Sequence, residues 1–134
     1  MPDRSTSALS YRISPPATNE ELNDLFAAAW ADHGWTDYAP VLAHSLVYVC
    51  AYQEETLVGF VNVAWDGGIH AFLLDTTVHP GQQRQGVGRR LVELAAAEAR
   101  RRGMEWLHVD YEPHLESFYR GCGFTPTLAG LIRL

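Results

Sequence analysis

Val78 to Arg89, VHPGQQRQGVGR, is the part of this chain whose residue types and spacing are best suited to chemistry. Val78, His79 and Pro80 close an apolar stretch, and Gly86, Val87 and Gly88 then open a long amphipathic one. That is the pattern of an anion site. The first amides of a helix have no intrahelical acceptor, the helix dipole places positive potential there, and glycines let phosphate oxygens approach the backbone. Arg84 and Arg89 add charge-assisted contacts. Two other nucleotide loops fail on the same residues. Gly81 and Gly86 have the spacing of an ATP-binding loop, but Val87 and Gly88 stand where Lys and Ser or Thr are needed. A dinucleotide fingerprint needs a third glycine where Leu91 stands.

Periodicity predicts the strands and helices around this loop. Tyr11 to Ile13 predicts a short strand. Thr18 caps a first helix, with Glu20 and Glu21 in its first turn and Leu22, Leu25, Phe26, Ala29 and Trp30 on one face, ending near Gly34. A second, weaker helix spans about Tyr38 to His44. Leu46–Tyr52, Leu57–Trp65 and His70–His79 are rich in Val, Tyr and Phe and are separated by short polar links, so they predict three adjacent antiparallel strands. Gly86–Arg102 is the clearest helix, with Val87, Leu91, Val92, Ala95, Ala96 and Ala99 on one face. Trp106–Tyr111 predicts a strand, His114–Arg120 a short helix after Pro113, and Phe124–Leu134 a last strand or hairpin.

Within that frame, Gln83, Arg84, Gln85, Gly86, Val87 and Gly88 resemble the Q/R-x-x-G-x-G/A signature of the GCN5-related N-acetyltransferases (GNAT), with V-H-P before it and Arg89, Arg90 and Leu91 after. A second match lies downstream. Phe118 to Phe124 resembles the family's Y-x-x-x-G-F segment, and the resemblance covers nearly the whole chain from Tyr11. It implies an α/β (α+β) fold: a mixed, mostly antiparallel central sheet of six to seven strands flanked by about four helices. It also implies acetyl-CoA as cosubstrate, no metal, and transfer of the acetyl group to a primary amine of a small molecule, amino acid derivative or peptide. The alternative is a non-catalytic acyl-CoA-binding sensor or interaction module. Dimers are common in the family, so a homodimer is an expectation as well.

The resemblance also implies roles. The strands before and after the main helix splay apart, coenzyme A enters the gap, and the acceptor comes from the opposite side. Val78 would bond the pantetheine arm through its backbone, and the amides of Gln83, Arg84, Gln85, Gly86, Val87, Gly88 and Arg89 would hold the pyrophosphate. Tyr119 would protonate the leaving sulfur. Several relatives carry a Glu or His base on the strand before the loop, four or six residues ahead of the valine, where this chain has Leu74 and Phe72. His70, Asp110, Glu112, His114 and water are the alternatives. Strand alternation sets Thr76 with Val78 and Asp75 with Thr77. Glu112 falls where many relatives have a cofactor-binding asparagine. Acceptor recognition falls to Trp30, Asp32, His33, Trp35, Asp37 and Tyr38, whose rings and acids suit an amine with an apolar body.

Composition bounds the partners. The net charge of -6 argues against nucleic acid, since phosphate-tracking surfaces need excess Lys and Arg. All ten basic residues are arginine, and most lie between Arg84 and Arg120, the half that carries the loop. Cys50 and Cys122 match no C-x-x-C or zinc pattern and are read as reduced thiols. No apolar run reaches the roughly 18 residues of a membrane span, and no signal peptide is recognisable, so a cytoplasmic protein without membrane contact is expected. The expected organisation is a tail over residues 1–10 and a single domain over 11–134.

Overall fold

The computed structural model describes residues 9–134. The expected tail lies outside the described residues as far as residue 8, and Leu9 and Ser10 belong to the first strand, β1, Leu9–Ile13. β2 (Ser45–Gln53), β3 (Thr56–Trp65), β4 (His70–Val78) and β5 (Trp106–His108) follow, and the sheet order is β1-β2-β3-β4-β5. All neighbours are antiparallel except β4 and β5, which run parallel on either side of a helical crossover.

Among the described residues, four helices cover the sheet. α1 (Asn19–Ala29) starts on a capping box, in which the Thr18 hydroxyl accepts from the Glu21 amide at 3.1 Å and Glu21 accepts from the Thr18 amide at 3.0 Å. Leu22, Leu25 and Phe26 pack on one face of the sheet against Cys50, Tyr52, Leu57 and Phe60. α2 (Ala39–Ala43) leads into β2. α3 (Val87–Arg101) buries Val87, Leu91, Val92 and Ala95 on the opposite face against Val47, Val49, Ala51, Val61 and Val63. α4 (Glu116–Gly121), after a single turn that begins at Pro113, adds Tyr119 to the same core. None of the described helices is long and apolar enough to cross a membrane.

The α/β class and the mostly antiparallel sheet agree with the expectation; the strand count does not. Among the described residues five strands form instead of six to seven, because nothing after Phe124 pairs with the sheet. Pro126 lacks an amide for a ladder and Gly130 weakens any strand it interrupts. Leu128, Leu131, Ile132 and Leu134 therefore stand in solvent. α1 is also shorter than expected. It ends at Ala29 because the following loop is tied back by Asn23, which is 7% exposed: its side chain donates to the Asn19 and Thr36 carbonyls and accepts from the Thr36 amide, each at 2.8 Å. The Asn19 side chain accepts from the Tyr38 amide at 2.8 Å, so Tyr38 is fixed beside Phe26.

Candidate active site

β4 is the element on which the site is built, and a bulge shapes it. Asn62 of β3 faces Leu74, but Phe60 faces Thr77, so β4 carries one extra residue between these pairs. Asp75 sits there with φ at 59°, a left-handed conformation that Asp and Asn tolerate better than most side chains. The bulge shifts the alternation of side chains by one. Val78 shares the α3 face with Ala71 and Leu73, while Leu74 and Phe72 stand on the other face and reach solvent. His70 therefore stands on the face opposite Val78. It sits at the far end of β4, where its Nδ1 lies 2.9 Å from His108 Nε2.

Pairing of β4 with β5 ends at Phe72 and His108. Beyond it the chain runs from Val109 to Glu112 without joining the ladder, so a gap opens beside Leu73 to Val78. Tyr119 closes the back of this gap. It stacks on Tyr111 with ring centroids 5.0 Å apart, meets Phe124 edge-on at 5.8 Å, and is 7% exposed. Burial pushes its phenol pKa up, and the neighbouring Thr76 hydroxyl pulls it down. The phenol is thus held protonated at neutral pH and can act as a proton donor.

The loop lies at the mouth of the gap. The His79 imidazole accepts from the Gly81 amide at 3.0 Å, starting a single 3-10 turn that ends at Gln83. Arg84 and Gly86 then take left-handed backbone with φ of 66° and 78°. From Arg84 to Arg89 no backbone amide has a backbone acceptor among the described residues, and the first bond of α3 runs from the Arg90 amide to the Gly86 carbonyl. Gln83, Arg84, Gln85, Gly86 and Arg89 are exposed, whereas Val87 is buried and anchors the helix start. Arg89 lies only 3.6 Å from Glu93, but both side chains are well exposed, so the contact is loose and the guanidinium can turn toward a ligand. An open row of amides at the start of a 15-residue helix, flanked by two arginines, has the chemistry of an anion site.

Gly59 on β3 is a contributor that sequence patterning passed over. A Cβ there would stand 2.9 Å from Leu91 Cδ1 and 3.2 Å from Val87 Cγ1, so the glycine lets α3 seat its first turns on the sheet. A glycine inside an otherwise apolar strand was the available signal.

The profile of the Acetyltransferase (GNAT) family matches residues 12–124. The chain belongs to the GNAT acetyltransferase family. Among curated relatives of this GNAT chain, an uncharacterized N-acetyltransferase of Porphyra purpurea is 28% identical over 109 residues, covering 78% of this chain and 62% of the relative. The chloroplastic serotonin N-acetyltransferase 2 of Oryza sativa subsp. japonica is 36% identical over 67 residues, covering 50% of this chain and 34% of that protein. The chain thus spans less than two thirds of the length of either. Among solved structures, a GNAT family acetyltransferase from Streptococcus pneumoniae TIGR4 superposes with a TM-score of 0.79 at 26% identity, covering 95% of this chain and 98% of the other. An aminoglycoside N-acetyltransferase in complex with CoA shares the fold, with a TM-score of 0.74 at 16% identity over 96% of this chain and 95% of that one.

The remaining acceptor-side residues form two groups. Phe26 links Trp30, stacked on it at 4.6 Å, with His33 and Tyr38 in one aromatic cluster beneath the α1–α2 loop. Asp32, Trp35 and Asp37 point to solvent, and Asp37 is engaged by the Asn19 side chain and the Ala39 amide, which lower its pKa. Asp110, Glu112 and His114 are exposed around the far side of the gap.

Proposed function

We propose that this GNAT domain transfers an acetyl group from acetyl-CoA to the primary amine of a small molecule, amino acid derivative or peptide by direct attack. The observation that carries the reading is the juxtaposition of the open amides from Arg84 to Arg89 with a buried Tyr119 across the gap between β4 and β5. The amides of Gln83, Arg84, Gln85, Gly86, Val87, Gly88 and Arg89 hold the pyrophosphate. The Val78 backbone aligns the pantetheine arm and its amide faces the thioester oxygen, where negative charge grows as the amine attacks. Tyr119 gives its proton to the departing sulfur.

The aromatic cluster around Phe26, with Trp30 still 38% exposed at its edge, supports an amine with an apolar body. The serotonin N-acetyltransferase of rice makes serotonin the first acceptor to try. Function as a homodimer in the cytoplasm, without nucleic acid or membrane, is carried as part of the same proposal. The test is CoA release from acetyl-CoA with serotonin, an aminoglycoside and a short peptide as acceptors. Acceptor-dependent release that falls at least about 100-fold in Tyr119→Phe is the expected result. Tight acetyl-CoA binding with no acceptor-dependent release, unchanged by Tyr119→Phe, would establish a binding module instead.

A further inference from the structure

We infer that Asp75 is the residue that seats the acceptor amine and takes its proton, an assignment that rests on the acetyl-transfer reading above. The bulge in β4 inserts one residue between the pairs Leu74–Asn62 and Thr77–Phe60, and the shifted alternation puts Asp75 on the side of Leu74 and Thr76 on the side of Leu73 and Val78. Thr76 faces Tyr119 on the α3 and α4 side. Asp75 faces the α1–α2 side, close enough to Tyr38 for its negative charge to add to the burial that raises the Tyr38 pKa. One turn of backbone thus divides the gap into a side with a proton donor and a side with a carboxylate.

The carboxylate is free for that task. Among the described residues it accepts no hydrogen bond and joins no ion pair, unlike Asp37 and Asp66, whose side-chain oxygens are occupied by amides. It is exposed, so an acceptor amine can reach it, and partial desolvation by the protein around it pushes its pKa up. The acids whose pKa is shifted elsewhere, Asp37, Asp66 and Glu98, all move down. A carboxylate that is partly desolvated and unpaired gains most from an arriving ammonium group, and a raised pKa brings its basicity closer to that of a working base. The left-handed backbone at Asp75 is strain held where the chemistry is read. Tyr38 is the titratable side chain that faces it from the α1–α2 loop, and the Asn19 and Asn23 bonds fix that loop.

The acceptor arrives as an ammonium ion and gives one proton to the Asp75 carboxylate, which passes it to solvent. The free amine forms a nitrogen–carbon bond to the thioester carbonyl carbon as the carbon–sulfur bond breaks. The nitrogen loses a second proton on becoming an amide, which balances the proton that Tyr119 hands to sulfur.

The test compares Asp75→Asn with wild type on the acceptor of the amine panel that wild type uses fastest, together with acetyl-CoA affinity by calorimetry. Asn tolerates left-handed backbone as well as Asp does, so the bulge is kept. The expected result is a fall of roughly 100-fold or more in kcat/KM for the amine with unchanged acetyl-CoA affinity. Asp75→Glu should recover part of the rate, and Asp24→Asn, an exposed acid on α1, should leave it unchanged. An active wild type with an equally active Asp75→Asn would overturn the assignment and leave the acetyl-transfer reading intact. Loss of acetyl-CoA binding in Asp75→Asn would also overturn it, by showing that the carboxylate only holds the bulge. No amine-dependent release by wild type would sink the acetyl-transfer reading itself, and this inference with it.

Discussion

Gly88 on α3 and Phe118 on α4 meet across the floor of the site: a Cβ added to Gly88 would stand 3.4 Å from Phe118 Cζ and 3.5 Å from Val78 Cγ2. The start of the phosphate-facing helix, the end of β4 and the helix carrying Tyr119 are therefore packed on one another. One methyl group at this junction makes ordinary contacts, and a branched side chain does not. Gly88→Ala should keep its thermal midpoint, whereas Gly88→Val should lose about 1–3 kcal/mol by overpacking and lower kcat through displacement of Tyr119. Thermal melts and CoA release on the two variants check this.

Gly59 makes the same kind of prediction on the other side of α3. A Cβ there would come within 2.9 Å of Leu91 Cδ1 and 3.2 Å of the Ala51 Cβ, closer than side chains ordinarily pack. Gly59→Val should destabilise the protein by about 1–3 kcal/mol and weaken acetyl-CoA binding, because the first turn of α3 must lift from the sheet. Denaturant unfolding with and without acetyl-CoA separates the two effects.

Asn23→Ala tests the acceptor side. It leaves the Thr36 amide and carbonyl without their 2.8 Å partners, at a cost of about 1–3 kcal/mol. With the α1–α2 loop untied, KM for the amine should rise several-fold while acetyl-CoA affinity stays the same. Steady-state kinetics against each substrate in turn distinguishes this from general unfolding, which would weaken both.

Alkaline stability follows from the core. Burial pushes the Cys50 thiol and the neighbouring Tyr52 phenol each up to about 12. The folded state favours their neutral forms, so this contribution is fully present below the unfolded thiol value of roughly 8.5 and is lost as pH rises toward the folded value. Stability should therefore decline from about pH 9 upward. Cys50→Ala should decline less steeply over that range, although it is less stable at neutral pH for lack of the sulfur's packing.

Much of this was legible in the sequence because local rules dominate there. Thr18 with acids after it marks a helix start, the apolar stripe from Val87 to Ala99 marks α3, and the glycines before that stripe mark an anion site. The parts that were not legible depend on partners distant in the chain. The one-residue bulge at Asp75 appears only in the pairing with β3, and it reverses which side chains of β4 face the gap. The early end of α1 depends on Asn23 reaching Thr36, and the missing last strands depend on whether Leu128 to Leu134 find an edge to pair with. Gly59 reads as a weak point in a strand until Leu91 and Val87 are seen above it.

Backbone amide chemical shifts during titration with acetyl-CoA decide whether the amides from Arg84 to Arg89 hold the donor substrate. Saturable shifts are expected, largest at Arg84, Gln85, Gly86, Val87, Gly88 and Arg89, with smaller ones at Val78 and around Tyr119. Saturable binding that leaves those six amides unmoved and shifts another region would contradict that role.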